Sequence, residues 1–294
     1  MSQSVFARQL YTVPLPGQRF LNLGGRTLVM GILNVTPDSF ADGGLWIDPA
    51  RAVDAALQME ADGADLIDIG GESTRPGAEA LPLDEELSRV MPVIEAAASR
   101  LRVPISVDTY KADVARRAVA SGAALVNDVS ALRYDSGLAE VVAASGAALV
   151  LMHNRGRSRQ MYQEAHYDSV VDEVVGELAE RVESAVAAGI ARDRVIVDPG
   201  IGFAKKAAHS LELLARLPAL SVLDRPLLVG PSRKSFLEAS LGERLPGVRD
   251  WGTAAAVAAA VMGGAHIVRV HAVKEMADVV RTVEAIRNAG TTRT

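Results

Sequence analysis

Cysteine is absent from the 294 residues of the chain, which excludes disulfides, thiol catalysis and cysteine-based zinc sites. Aromatic residues make up only 4%, so a core has to be built from Ala, Val, Leu and Ile. The net charge is −5 and no basic run stands out, which argues against nucleic acid as a partner. The longest run of small apolar residues, AAAVAAAVMGGA, is too short to span a bilayer. We therefore expect a cytoplasmic protein that does not bind a membrane.

The sequence does contain a regular alternation of short apolar runs with longer Ala-rich amphipathic stretches. Two of the stretches, PARAVDAALQMEADG and YDSVVDEVVGELAERVESAVAAG, have the periodicity of helices, and the second ends at Gly189, a typical C-terminal cap. The predicted strands are 27–33, 65–70, 104–108, 124–128, 148–153, 194–198, 226–230 and 266–271.

Eight strands, each followed by a helix, predict an α/β fold of the (β/α)8 barrel type, for which this length is ordinary. A doubly wound open sheet is the alternative, but no GxGxxG motif follows the first strand. The segment RFLNLGGRTLVMG predicts an N-terminal β-hairpin with Gly24-Gly25 at its turn, able to plug the bottom of the barrel. We expect one barrel domain over residues 20–294, preceded by an extension of residues 1–19.

Polar residues follow the strands, at the barrel end where active sites of this fold lie. Each has an ordinary structural explanation, since an Asp there often caps the next helix and an Arg often forms an ion pair. Together, however, they predict a site at the barrel mouth. The strand ends carry Asn34, Asp108, Asn127-Asp128, Met152-His153, Asp198, the SRKS segment that includes Lys234, and Arg269 with His271.

The residue types at this mouth indicate two kinds of binding. Arg269 and His271 alternate on one strand and, with Asn34 of the neighbouring strand, form an anion corner. Asn34 can also supply an oxygen to Mg²⁺, which usually keeps its waters and binds through substrate phosphates. Asp108, Asn127 and Asp198 offer acceptors that suit a flat heterocycle rich in N–H donors.

Eight motifs resemble dihydropteroate synthases in order and spacing, from about residue 20 to 287: ILNVTPDSFADGG, DIGGESTRPGA, SVDTYKADVA, LVNDVSAL, VLMHNRG, VDPGIGF, GPSRKSFL and VRVH. The resemblance implies a transferase of folate biosynthesis. That family condenses 6-hydroxymethyl-7,8-dihydropterin diphosphate with 4-aminobenzoate, assisted by Mg²⁺, to give 7,8-dihydropteroate and pyrophosphate. It also implies a homodimer.

The resemblance assigns roles to individual residues. Catalytic roles fall to Lys234, Asp108, Asp198 and Asp42. The pterin would be held by Asp108, Asn127, Met152, Asp198 and Lys234. The diphosphate would be held by Asn34, Thr74, Arg75, Arg269 and His271, with Asn34 as the metal ligand. The 4-aminobenzoate site would be shaped by Phe40, Pro76, Phe203 and Ser235.

The residues also suggest how such a reaction proceeds. No strong protein nucleophile is present, which favours a dissociative, SN1-like path in which Asp108 and Asp198 stabilise a pterin-methyl cation. Ser235 would begin a helix whose N-terminus attracts the carboxylate of 4-aminobenzoate. The loops TPDSFADGG and GGESTRPGA are expected to be mobile without substrate and to close over the reactants.

Two other functions are kept as alternatives. A pterin-binding methyltransferase-type barrel would share the Asp and Asn contacts, but it needs neither the SRKS block nor the anion corner. A non-catalytic paralogue should have lost loop or anion residues, and none is missing. Because resistant relatives carry an insertion near the position of Phe203 and this chain has none, we expect ordinary sulfonamide sensitivity.

Overall fold

The computed structural model describes residues 8–36, 48–73, 78–156, 163 and 165–291. Its strands are β1 (Tyr11–Leu15), β2 (Arg19–Leu23), β3 (Leu28–Asn34), β4 (Leu66–Gly70), β5 (Ile105–Asp108), β6 (Leu125–Asp128), β7 (Ala148–Met152), β8 (Val195–Asp198), β9 (Leu228–Val229) and β10 (Ile267–Val270). The helices are α1 (Pro49–Ala61), α2 (Leu83–Ala98), α3 (Ala112–Ala120), α4 (Leu138–Ser145), α5 (Val170–Ala187), α6 (Ala207–Ala215), α7 (Glu238–Leu241), α8 (Asp250–Met262) and α9 (Val273–Thr291).

The last eight strands form one parallel sheet that closes on itself. Their order is β8-β7-β6-β5-β4-β3-β10-β9. A parallel bridge between Val197 and Leu227 joins the two edge strands of that order. Each strand is followed along the chain by at least one helix. The predicted (β/α)8 barrel is therefore confirmed, and the open doubly wound sheet is excluded.

The predicted strands are all present, most of them shortened by one or two residues. The largest difference is β9, which was expected over 226–230 and covers only Leu228–Val229. Pro226 has no N–H to give to a ladder, and the N–H of Leu227 is donated to Nδ1 of His266 at 3.0 Å. Because the N–H of Leu227 is bound by a side chain, the regular strand begins only at Leu228.

The two predicted helices are α1 and α5. Asp48 caps α1, because its Oδ1 accepts a hydrogen bond from the N–H of Ala50 at 2.9 Å. After α5 ends, Gly189 adopts a φ of 94°, the left-handed conformation expected of a residue that follows a helix C-terminus. None of the described helices is both long and apolar enough to cross a bilayer.

An antiparallel N-terminal hairpin is present, but its turn is not where the glycine pair predicted it. β1 pairs with β2 through Tyr11–Leu23 to Leu15–Arg19, and the turn is Pro16–Gln18. Gly24 instead carries the chain from β2 into the barrel, with a φ of 104°. A Cβ there would lie 2.2 Å from the carbonyl oxygen of Gln9, so this close approach requires glycine.

The hairpin closes the bottom of the barrel as expected. Apolar side chains of β1 and β2, among them Val13 and Leu23, join one buried cluster with inward-facing residues of the barrel strands such as Met30 and Val150. A second, larger cluster fills the layer between the strands and the helices and consists mostly of Ala, Val, Leu and Ile. Because the bottom is covered, only the opposite mouth of the barrel is left for a site.

Candidate active site

Ten of the predicted site residues belong to the described part of the chain, and they lie at or beyond the C-terminal ends of the strands. They are Asn34, Asp108, Asn127, Met152, Asp198, Phe203, Lys234, Ser235, Arg269 and His271. Phe40, Asp42, Thr74, Arg75 and Pro76 lie outside the described residues, as does most of the two loops that carry them. Their roles, and the mobility of the loops, stay predictions.

Arg269 joins two carboxylates in the interior of the barrel. Its Nε donates to Oδ2 of Asp68 at 2.5 Å, and its Nη2 donates to Oδ2 of Asp108 at 2.6 Å. The amide nitrogen of Asn127 donates to the same oxygen of Asp68 at 2.9 Å. These bonds use two of the five N–H donors of the guanidinium, and no residue in the described part of the chain takes the other three, which can meet an anion at the mouth.

Asp68 was not predicted, although the sequence contains a signal for it. It lies in the middle of the apolar strand β4 and is fully buried. A charged residue in such a strand needs partners, and Arg269 and Asn127 provide them. By accepting from the Asn127 amide nitrogen, Asp68 fixes the orientation of that amide and leaves its carbonyl oxygen available to a ligand donor.

Asp108 and Asp128 lie at the ends of neighbouring strands but differ in what they do. Burial raises the pKa of Asp108 to about 7. The charge of Arg269 acts to lower this pKa, and the charge of Asp68 acts to raise it further. Asp128 instead accepts hydrogen bonds from the N–H groups of Ser130 at 2.7 Å and Leu132 at 2.6 Å. The ordinary structural explanation therefore holds for Asp128, which braces the turn after β6.

Lys234 reaches from the β9 loop across to the loop after β8. Its Nζ donates to the carbonyl oxygen of Ile201 at 2.6 Å and lies 4.3 Å from the centre of the Phe203 ring. Burial lowers the pKa of Lys234 to about 8, against the opposing charge of Asp198. Asp198 in turn accepts from the N–H of Gly200 at 2.7 Å, and burial raises its pKa.

The remaining residues of the SRKS segment have structural partners. Oγ of Ser232 lies 2.9 Å from Nδ1 of His271, which orients the imidazole. Arg233 forms two hydrogen bonds with the carboxylate of Asp250, at 2.7 and 2.8 Å, so it braces the segment against α8. Its φ of 57° is unusual for a residue other than glycine, and this pairing helps to hold it.

A helix begins at Ser235 as expected, but it is short. It is a 3-10 helix of three residues, Ser235–Leu237, which runs into the four-residue helix α7. Elements this short sum few peptide dipoles, so any attraction of an anion here rests on the N–H groups of the first turn, and the role of Ser235 stays a prediction. Ser235 is exposed and follows Lys234 directly in the sequence.

Asn34, at the end of β3, is the predicted metal ligand. Within the described ranges, no group of three His, Asp or Glu side chains is arranged to hold a metal ion. A neutral amide oxygen on its own does not form a metal cage. It does fit Mg²⁺, which keeps several waters and is bound largely through the phosphates of a substrate.

A family model described as pterin binding enzyme matches residues 30–271. The chain is 46% identical to the dihydropteroate synthase of a Synechocystis strain, over 93% of this chain and 95% of that protein. It is also 46% identical to the dihydropteroate synthase of Bacillus subtilis, over 90% of each.

Solved structures agree with the sequence comparison. Dihydropteroate synthase of Xanthomonas albilineans with 4-aminobenzoic acid is 46% identical, with a TM-score of 0.87 over 94% of this chain and 99% of that one. The enzyme of Yersinia pestis in a sulfonamide drug complex is 44% identical, with the same TM-score and coverage. On its sequence, its barrel and its relatives, the chain belongs to the pterin-binding enzyme family and, within it, to the dihydropteroate synthases.

Proposed function

We propose that the protein condenses 6-hydroxymethyl-7,8-dihydropterin diphosphate with 4-aminobenzoate, giving 7,8-dihydropteroate and pyrophosphate. The observation that carries the proposal is the set of three carboxylates and two cations, buried or half-buried, at the barrel mouth: Asp68, Asp108, Asp198, Lys234 and Arg269. A methyltransferase-type barrel has no need for the cations, and a non-catalytic protein has no need for a set that is costly to desolvate.

The pterin would lie between the carboxylates. Asp108 and Asp198 can accept from the N–C–N edges of the ring, and Asn127 offers its carbonyl oxygen because its nitrogen is engaged by Asp68. Nζ of Lys234 has donors left for a ring carbonyl or nitrogen. Met152, buried at the end of β7, gives the apolar face of the ring a surface to pack on.

The diphosphate would lie above Arg269. The N–H groups of this guanidinium that have no described partner are suited to bind a phosphate. His271 lies at the same strand end as Arg269, and Ser232 orients its imidazole. Asn34 would hold Mg²⁺, and Thr74 and Arg75 would complete the site from their loop. The metal, when bound, neutralises negative charge that develops on the departing diphosphate.

The aromatic amine would be received beside the pterin. Phe203 lies against Lys234 at the mouth, which places an aromatic face next to the pterin pocket. Ser235 follows Lys234 directly, and we assign Phe40 and Pro76 to the same pocket from their loops. Relatives solved with 4-aminobenzoic acid and with a sulfonamide drug support an aryl site of this kind.

The arrangement favours departure of diphosphate before attack. As the C–O bond breaks, positive charge spreads over the pterin-methyl group and ring, and Asp108 and Asp198 stabilise it. The arylamine nitrogen then attacks the methylene and loses its proton. We also assign a catalytic role to Asp42, which belongs to the loop after β3.

We also propose that two copies form a homodimer in the cytoplasm. Exposed apolar side chains lie before and along α8, including Leu245, Val248 and Trp251. Large apolar groups exposed in one neighbourhood are typical of an association surface. Analytical ultracentrifugation at several concentrations would measure the mass, and a monomer throughout would contradict the dimer.

The reaction itself is tested by supplying both substrates with Mg²⁺ and measuring both products. We expect equal amounts of pyrophosphate and dihydropteroate. Neither product should form when 4-aminobenzoate is omitted. Lys234→Ala should fold and lose at least about a hundredfold in turnover, because it removes a half-buried cation beside the pterin. Pterin binding without either product would contradict the proposal and favour a non-catalytic protein.

A further inference from the structure

The loop between β8 and α6, residues 199–206, is held by two lysines, of which only Lys234 belongs to the predicted site. Lys234 holds the carbonyl oxygen of Ile201. Nζ of Lys205 donates to the carbonyl oxygen of Phe203 at 3.0 Å. The loop thus accepts one lysine hydrogen bond at Ile201, two residues before its aromatic residue, and a second at the main chain of Phe203 itself.

Lys205 is one of the largest fully buried side chains, with a relative exposure of 2%. Besides Phe203, its Nζ lies 2.8 Å from Nδ1 and 3.4 Å from the carbonyl oxygen of His153. A lysine ammonium has three donors, and three acceptors surround this one. Burial lowers the pKa of Lys205 well below its ordinary value, against the opposing charge of Asp198.

His153 is set up to accept the lysine bond. Its Nε2 lies 3.1 Å from Oε2 of Glu177, so an imidazole with its proton on Nε2 leaves Nδ1 free as an acceptor. Arg155 fixes the other oxygen of Glu177 at 2.9 Å. Burial, with the charge of Lys205, lowers the pKa of His153 to about 4, so the ring is neutral near pH 7.

Two glycines of this loop are closely packed against their neighbours. A Cβ on Gly200 would lie 1.9 Å from the carbonyl oxygen of His153, and one on Gly202 would lie 2.9 Å from Cδ of Lys234. Both glycines have positive φ, 66° and 78°. The Lys205 bond therefore acts on a main chain that is already closely packed on both sides.

We propose that Lys205 is a positioning residue for the aryl half of the reaction. It fixes the main chain of Phe203, so that the ring stays against Nζ of Lys234 and forms one wall of the 4-aminobenzoate pocket. This inference rests on the proposed function and deepens it. A lysine retained only for packing would be served as well by methionine, which has nearly the same length and no desolvation cost.

The test is Lys205→Met, compared with Lys206→Met at the exposed neighbouring lysine. We expect the KM for 4-aminobenzoate to rise about tenfold, since the hydrogen bond that holds the main chain of Phe203 is lost, and the KM for the pterin diphosphate to change by less than about twofold. Lys206→Met should leave both constants unchanged. If Lys205→Met does not melt cooperatively, Lys205→Gln is measured against the same criterion.

A double substitution separates positioning from general stability. If Lys205 acts through Phe203, replacing it in a Phe203→Leu background should raise the KM for 4-aminobenzoate by less than about twofold, because the ring is already gone. A full additional tenfold rise, or an unchanged KM in the single variant, would overturn the proposal. Absence of product with the wild-type protein would instead contradict the proposed function, so the two failures are distinct.

Discussion

Asp68 and Arg269 form an ion pair inside the barrel, with Oδ2 of Asp68 lying 2.5 Å from Nε of Arg269. They come from β4 and β10, which are separated in the sheet by β3. The pair engages only the Nε donor of the guanidinium, and the same oxygen of Asp68 fixes the amide of Asn127. One buried carboxylate thus orients both an anion-binding group and a pterin-binding group.

Asp68→Asn removes the charge and keeps the shape. We expect kcat/KM for the pterin diphosphate to fall between about tenfold and a hundredfold, because Arg269 loses a buried partner and Asn127 loses its fixed orientation. Steady-state kinetics measures this, with Asp54→Asn on the exposed face of α1 as the matched control. Equal kinetics for the two variants would show that the pair has no role in substrate binding.

The pH dependence of kcat/KM follows from two shifted groups. Asp108, with its pKa raised to about 7, is a neutral acid below that pH and cannot stabilise positive charge there. Lys234, with its pKa lowered to about 8, loses its charge above that pH. Activity should therefore rise through about pH 7 and fall through about pH 8. A profile that stays flat from about pH 5.5 to 8.5 would contradict these roles.

Two glycines make a matched test of the β8–α6 loop. Gly200→Ala forces a Cβ against the main chain of His153 at a φ of 66°, so we expect a loss of more than about 2 kcal/mol in the free energy of unfolding. Gly176→Ala, on the exposed face of α5 with open space around it, should gain about 0.5–1 kcal/mol. Urea titrations of both variants measure the difference, and changes of the same sign would refute this reading of the loop.

Much of the fold could be predicted because barrel strands are continuously apolar and alternate with amphipathic helices. The hairpin turn was placed wrongly because two turn signals compete. Pro16-Gly17 makes the turn, whereas Gly24-Gly25 meets a close main-chain contact that only the tertiary structure reveals. The register of β1 with β2 and the contact of Gly24 with Gln9 decided the choice, and the turn residues alone do not reveal either.

Site residues could be predicted only where they lie at the ends of strands. Asp68 lies inside a strand, and its partner Arg269 follows about 200 residues later. Lys205 and Lys206 are identical neighbours in the sequence, yet one is buried and the other exposed. Nothing local distinguishes them, because the difference arises from where His153 lies in the neighbouring loop.

Sulfonamide sensitivity should follow from the uninterrupted loop at Phe203. In VDPGIGFAKK the aromatic residue is followed directly by Ala204 and the buried Lys205, so no inserted residue narrows the aryl site. We expect sulfamethoxazole to compete with 4-aminobenzoate. Dihydropteroate formation at several concentrations of both compounds measures this, and rates unaffected at high drug concentration would show that the pocket excludes sulfonamides.

Stabilisation of positive charge on the pterin by Asp108 and Asp198 is the central feature of the proposed reaction. The most direct test compares pyrophosphate release from the natural pterin diphosphate with that from an analogue carrying an electron-withdrawing group on the ring, both at saturation with the wild-type protein. A dissociative path predicts that the analogue reacts at least about tenfold more slowly, because the cation is less stable. Equal rates would contradict it and favour direct displacement by the arylamine.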